Sequence, residues 1–206
     1  MAKQVPMCIA ALASDSKSAA LQDMRVREIR FLSSPHCDAR PSGADVDLIV
    51  LHAISLPPGD FSLDAIEDFF LGKLDTTVHP SLAGVRVSAH FVVDRKGGIT
   101  QFVDVRQRAW HAGKSSWQGK DRCNDYAIGI EMIGDEQQPF TKAQYRETAR
   151  LCRVLIQACP AITPGRIVGH KDVAPDRKWD PGRQWDWPHF HRSLSRIRKL
   201  DLKVRL

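Results

Sequence analysis

Two histidines stand out by where they sit. His52 ends the mostly apolar run Val46–His52 and precedes the loop Ala53-Ile54-Ser55-Leu56-Pro57-Pro58-Gly59. His170 ends the short run Arg166–Gly169 and precedes Lys171-Asp172-Val173-Ala174-Pro175. A polar ring at the end of a buried strand faces the rim of a sheet, where sites form. Asp180 follows within Arg177-Lys178-Trp179-Asp180-Pro181-Gly182, a loop able to fold back toward His170. Two imidazoles and a carboxylate give three ligands and an open fourth position, the pattern of catalytic zinc. The spacing matches no standard local motif. By itself it more readily suits two buried, hydrogen-bonded histidines and an aspartate that forms a turn. Glu131 interrupts the apolar stretch Ala127-Ile128-Gly129-Ile130-Glu131-Met132-Ile133. A carboxylate buried there is costly unless paired or protonated, and a raised pKa suits a general base. The alternative is a glutamate facing solvent from a strand edge.

The elements that position these residues read from periodicity. Five segments have strand character: Val46–His52, His90–Asp94, Ile99–Val103, Tyr126–Met132 and Arg166–Gly169. The second and third flank Arg95-Lys96-Gly97-Gly98, a hairpin turn. Asp64 and Glu67 have capping-box spacing, and Ile66, Phe69, Phe70 and Leu74 recur on one face. Thr141 and Gln144 form a second capping box. From it an amphipathic helix runs through Tyr145, Thr148, Cys152, Leu155, Ile156 and Cys159 to Pro160. His189–Leu200 suits a last helix. The pattern predicts an α/β domain, a mixed central sheet flanked by helices.

The 206 residues suit one domain, with 43% hydrophobic and 26% charged residues as in soluble globular proteins. We expect residues 1–24 to be a flexible extension, 25–192 the catalytic domain and 193–206 a basic, solvated tail. The net charge of +6 owes much to that tail, and no nucleic-acid-binding motif accompanies it. No apolar run is long enough to span a bilayer. Lys3 with the apolar run Val5–Ala13 is a weak export signal, and Ala11-Leu12-Ala13 resembles its cleavage site. The five cysteines (8, 37, 123, 152 and 159) are odd in number and unpaired in spacing. They favour the cytosol and lack zinc-ribbon spacing.

Several segments in series resemble AmpD-type 1,6-anhydro-N-acetylmuramoyl-L-alanine amidases. They are Leu51–Gly59, Arg86-Val87-Ser88-Ala89-His90-Phe91, Arg108-Ala109-Trp110-His111-Ala112-Gly113, Arg122-Cys123-Asn124-Asp125, Ile128–Glu131, Gly169-His170 and Ala174–Gly182. Any one alone is weak, but their order over roughly residues 33 to 190 is specific. The resemblance implies the amidase_2 fold, shared with peptidoglycan recognition proteins and phage amidases. It implies one zinc ion held by His52, His170 and Asp180, with Glu131 activating water and Lys178 stabilising the oxyanion. It assigns Arg86 and Arg122 to the peptide carboxylates and Trp110 to the cleft wall. The expected substrate is an anhydro-muropeptide cut between muramic acid and L-alanine during cell-wall recycling in the cytoplasm. The expected protein is a monomer with no nucleic-acid or membrane partner. The chain departs from the pattern at Ala53, where the family has Asn, and at Trp179, where it has a small residue. The stretch from His79 to Arg86 is also shorter. The alternatives are an amidase on polymeric peptidoglycan after export, and a module that binds muropeptide without cutting it.

Overall fold

The computed structural model describes residues 27–198 and 202–206. The expected extension 1–24, with its weak export signal, therefore lies outside the described residues. The centre is a six-stranded mixed sheet. In chain order its strands are β1 (Arg30–Phe31), β2 (Leu48–Ile54), β3 (Phe91–Val93), β4 (Ile99–Gln101), β5 (Ala127–Ile133) and β6 (Ile167–Gly169). They lie side by side as β6-β2-β5-β3-β4-β1. All neighbours are parallel except the β3–β4 hairpin. Its turn uses Gly97 at φ 85°, a left-handed position that glycine takes without strain. The Asp94 carboxylate accepts from the Lys96 and Gly98 amides there.

Strands β2 and β5 are packed on both faces, so they read as continuous apolar runs and not as alternating ones. Alternation still decides which residue points where. Ile49, Leu51, Ile128, Ile130, Met132 and Ile167 join one cluster, shared with helices α2 (Lys142–Ala158) and α4 (Trp187–Arg196). Leu48, Val50, Ala127 and Val168 join a second cluster with Ala112, Cys123 and Tyr126 on the opposite face. Helix α1 (Leu63–Phe70) covers a third cluster around Val92, Phe102 and Ile133. The residues His52, Glu131 and His170 continue the second set by two-residue steps. They therefore emerge on the face opposite α2 and α4. The cluster partners of Ala53 put it on the other face, with α2.

The Thr141–Gln144 capping box of α2 forms in both directions, and the helix ends before Pro160. The expected Asp64–Glu67 box does not. Helix α1 begins at Leu63, so Asp64 is inside the first turn, and Glu67 is buried against Arg30 of β1. Helix α4 starts two residues earlier than expected, because the Asp186 side chain caps it by accepting from the His189 amide. It also ends earlier than expected, at Arg196, where Ile197 turns extended; the expected residues 199 and 200 lie outside the described residues.

The stretch 193–206, expected as a solvated basic tail, carries core side chains as well as charge. Leu194 and Leu202 are buried, and Leu202–Lys203 pairs in parallel with Arg27–Glu28. The Arg205 amide donates to the Gln101 side chain, which donates back to the Arg205 carbonyl. Apolar residues spaced among the charges explain the difference: Arg196, Arg198, Lys203 and Arg205 are exposed, while Leu194 and Leu202 are buried. The four cysteines among the described residues are free thiols. Among the described residues no helix is long and apolar enough to cross a membrane.

Candidate metal centre

Register brings the site together. Glu131 pairs with His52 across β5 and β2, and Gly169 pairs with Leu51 across β6 and β2. His170, one residue on, opens the short helical turn α3 (His170–Val173) at the level of His52. Its entry is held by the Asp172 carboxylate, which accepts from the Gly169 amide at 2.7 Å. The following loop folds back on α3, where the Lys171 amide donates to the Asp180 carbonyl at 2.9 Å. The Asp180–Pro181 peptide is cis. The Lys171–Asp180 backbone bond keeps Asp180 beside His170, as the length of the loop allowed.

Three atoms converge. His52 Nδ1 lies 2.9 Å from His170 Nδ1, and Asp180 Oδ2 lies 3.2 Å from the first and 3.1 Å from the second. All three residues are buried, and together they could hold a metal ion. Ligands about 2.0–2.2 Å from a tetrahedral ion stand a little over 3 Å from one another, so this donor set fits zinc. The remaining imidazole atoms point into protein: His52 Nε2 to His111 Nδ1 at 3.0 Å, and His170 Nε2 to the Ala112 carbonyl at 3.2 Å.

The charges fit the same use. Burial pushes His52 down to about 4, against the opposing effect of its hydrogen bond to Asp180, so the ring is neutral and has a free lone pair. Burial also works against the charge of Asp180. The hydrogen bonds from His170 and His52 outweigh it and hold the carboxyl below its usual range. Glu131 is pushed the other way. Burial raises it well above the ordinary carboxylate range, the Asp180 charge adds to this, and the Lys178 charge opposes it. The Oε1 atom of Glu131 is 4.0 Å from His52 Nδ1, and its Oε2 is buried without a hydrogen-bond partner. Glu131 is thus beside the three donors and not one of them.

Lys178 sits in the Ala174–Gly182 loop, where its amide donates to the Ala174 carbonyl. Its charge is felt by both Glu131 and His52. Trp179 turns outward over Gly182, is 40% exposed, and helps line a cleft of about 500 Å³ with Trp187, Arg183, Glu136 and Asp180.

Of the three residues expected to hold substrate, Trp110 and Arg122 are joined through Asp38, Arg108 and Asp125. The Trp110 ring stacks near His36, with ring centres 6.1 Å apart, and its indole donates to Asp38 at 3.1 Å. Arg108 joins Asp38 to Asp125, and Arg122 reaches Asp125 at 3.0 Å. Arg122 has left-handed backbone and a 70% exposed side chain. Arg86 is exposed, two residues before Ser88, whose amide donates to the Trp110 carbonyl.

His111 and Ala112, which contact His52 and His170, and Asn124, which accepts from the His111 and Ala112 amides, went unnoticed in the sequence. They lie in segments 108–113 and 122–125, where only Trp110 and Arg122 drew attention. Their part depends on contacts between distant segments.

Residues 42–183 match the family model Amidase_2, N-acetylmuramoyl-L-alanine amidase. The chain is 49% identical to the 1,6-anhydro-N-acetylmuramyl-L-alanine amidase AmpD of Haemophilus influenzae, over 82% of this chain and 93% of that protein. It is 45% identical to AmpD of Escherichia coli K12, over 81% and 92%. A crystal structure of a selenomethionine AmpD derivative superposes with TM-score 0.77 at 45% identity, covering 81% of this chain and 94% of that one. The amidase AmiD of E. coli, solved with anhydro-N-acetylmuramic acid-L-Ala-D-gamma-Glu-L-Lys, gives TM-score 0.55 at 28% identity, over 75% and 60%. With this match over most of its length and the convergent His52–His170–Asp180 donors, the chain belongs to the N-acetylmuramoyl-L-alanine amidase family, alongside the AmpD-type enzymes.

Proposed function

We propose that the chain is a zinc amidase that hydrolyses the amide between 1,6-anhydro-N-acetylmuramic acid and L-alanine in muropeptides, during cell-wall recycling. The observation that carries this reading is the triangle of His52 Nδ1, His170 Nδ1 and Asp180 Oδ2 with the Glu131 carboxylate beside it, its Oε2 without a hydrogen-bond partner. The relatives named for this reaction share 45–49% of residues over most of both chains.

His52, His170 and Asp180 hold the zinc. When bound, zinc supplies Lewis acidity for the carbonyl and for attacking water. Glu131 takes the proton from that water as it attacks the lactyl carbonyl, and its raised pKa makes it a base strong enough to do so. It then delivers the proton to the leaving amine of L-alanine. Lys178 places positive charge where the carbonyl oxygen becomes negative. Arg86 and Arg122 grip stem-peptide carboxylates through planar guanidinium groups, and Trp110 walls the cleft. A module that only binds muropeptide has no use for Glu131, a largely buried carboxylate with one oxygen left without a hydrogen-bond partner.

The enzyme works in the cytoplasm on soluble fragments. The four free thiols among the described residues support that compartment. Paired rates on anhydro-muropeptide, reducing-end muropeptide and intact sacculi test the substrate class. Rejecting one extra hydroxyl at the sugar is worth about 10²-fold, so a large but finite preference for the anhydro form is expected. Equal rates on all three substrates would contradict it.

A further inference from the structure

If both imidazoles offer Nδ1 to a metal, both must carry their ring proton on Nε2. These two N–H groups go to adjacent residues of one segment. His170 Nε2 donates to the Ala112 carbonyl at 3.2 Å, and His52 Nε2 donates to His111 Nδ1 at 3.0 Å. The second contact needs a bare Nδ1 on His111, so the proton of that ring is on its own Nε2. That Nε2 is buried and has no hydrogen-bond partner. A buried N–H left unpaired is costly and rare, so an arrangement that leaves one calls for a reason. The opposite tautomer would pair both donors, His111 to His52 and His52 to Asp180, but only at the expense of the metal. It would put a donor on His111 facing His52, force the His52 proton onto Nδ1, and fill the metal triangle with hydrogen.

The segment is itself clamped. Asn124 Oδ1 accepts from the His111 amide at 3.2 Å and from the Ala112 amide at 2.8 Å. The Arg177 guanidinium also donates to the Ala112 carbonyl. Beneath the His111 ring lies Gly129, where an added Cβ would stand 2.4 Å from His111 Cγ. The strand that carries Glu131 is thus cut back to let the ring reach His52.

We propose that the His111–Ala112 dipeptide, clamped by Asn124, is a single brace that sets the tautomer and aim of both imidazole ligands. His111 and Asn124 are then positioning residues, and neither touches metal or substrate. The inference rests on the zinc reading above. Groups behind metal ligands are typically worth about 10–100-fold in metal affinity.

The test is zinc titration of chelator-stripped protein against a competing chromophoric chelator, with no substrate present. Four variants are compared with wild type. His111→Phe keeps a ring but has no acceptor, whereas His111→Asn puts an oxygen near the place of Nδ1. Asn124→Ala removes both acceptor contacts, and Asn124→Asp keeps them. Zinc affinity should fall about 10–100-fold in His111→Phe and Asn124→Ala, and stay within about threefold of wild type in the two conservative variants. Cobalt(II) absorption should shift in the first pair and hold in the second. Near-ultraviolet circular dichroism of the metal-free forms checks folding. Asn124→Ala, which leaves the core ring in place, carries the test if His111→Phe does not fold. Unchanged affinity in His111→Phe or Asn124→Ala, or conservative variants as weak as their partners, would overturn the brace. Failure of wild type to bind zinc would instead overturn the zinc reading, and the brace with it.

Discussion

Replacing Glu131 by Gln removes a proton acceptor and changes almost nothing in shape. The carboxylate is 4.0 Å from His52 Nδ1 and outside the donor triangle, so Glu131→Gln should bind zinc as wild type does. Turnover should fall about 10²–10⁴-fold, the usual share of one acid–base group. At about 1.36 kcal/mol per tenfold, that is roughly 3–5 kcal/mol of barrier. The acid limb of the kcat/KM profile, which the raised Glu131 pKa places above the ordinary carboxylate range, should vanish with it. Stability gives a second, independent readout in metal-free protein. Burial raises the folded-state pKa of Glu131 above its unfolded value, so the folded chain holds this proton to higher pH. Stability therefore falls as pH rises from about 4.3, the unfolded value, through the folded pKa. Gln removes that loss, so metal-free Glu131→Gln should be the more stable protein above this window and gain nothing below it. Steady-state kinetics, metal analysis and urea unfolding across pH read these three effects. Near-normal turnover would move the base elsewhere. Parallel pH profiles of stability would refute the claim that Glu131 is buried at a cost.

Lys178→Ala should lower kcat more than it raises KM, because its charge matters once negative charge forms on the carbonyl oxygen; an effect confined to KM would make it a substrate-binding residue. Gly129→Ala forces a methyl into the His111 ring and should cost about 1–3 kcal/mol in chemical denaturation, as overpacking does; a neutral change would mean the ring moves freely. Thr141→Ala removes the N-cap of α2 and should cost about 1 kcal/mol with zinc binding unchanged.

The core strands and the strand-borne residues of the candidate site were legible for one shared reason. Fully buried strands such as β2 and β5 are continuous apolar runs, so His52 and Glu131 show as interruptions. Which face those interruptions share is fixed by alternation, and the resemblance to a family tied Asp180 to them. Short pairings such as Cys37–Ala39 with Gln107–Ala109, and Ser116–Trp117 with Lys120–Asp121, left no trace in periodicity. Two or three residues are too few to set a pattern. Glu67 misled in α1 because a glutamate at capping distance looks the same when it is drawn instead to Arg30, which is far off in sequence. The docking of residues 202–206 was hidden by the charges around two leucines. His111 and Asn124 were opaque because their role depends on the orphaned ring nitrogen and the two shared amides, which only the assembled chain displays.

The most direct test of the account follows the oxygen atom. Zinc-loaded protein is incubated with anhydro-muropeptide in ¹⁸O-labelled water, with and without chelator, and the products are weighed by mass spectrometry. Hydrolysis at the lactyl–alanine amide must put the label on the muramic acid carboxyl and release an unlabelled peptide with a free alanine amine. Chelation should abolish both products, and added zinc should restore them. Label in the peptide, cleavage at another bond, or full activity in chelated, zinc-free protein would contradict the assignment.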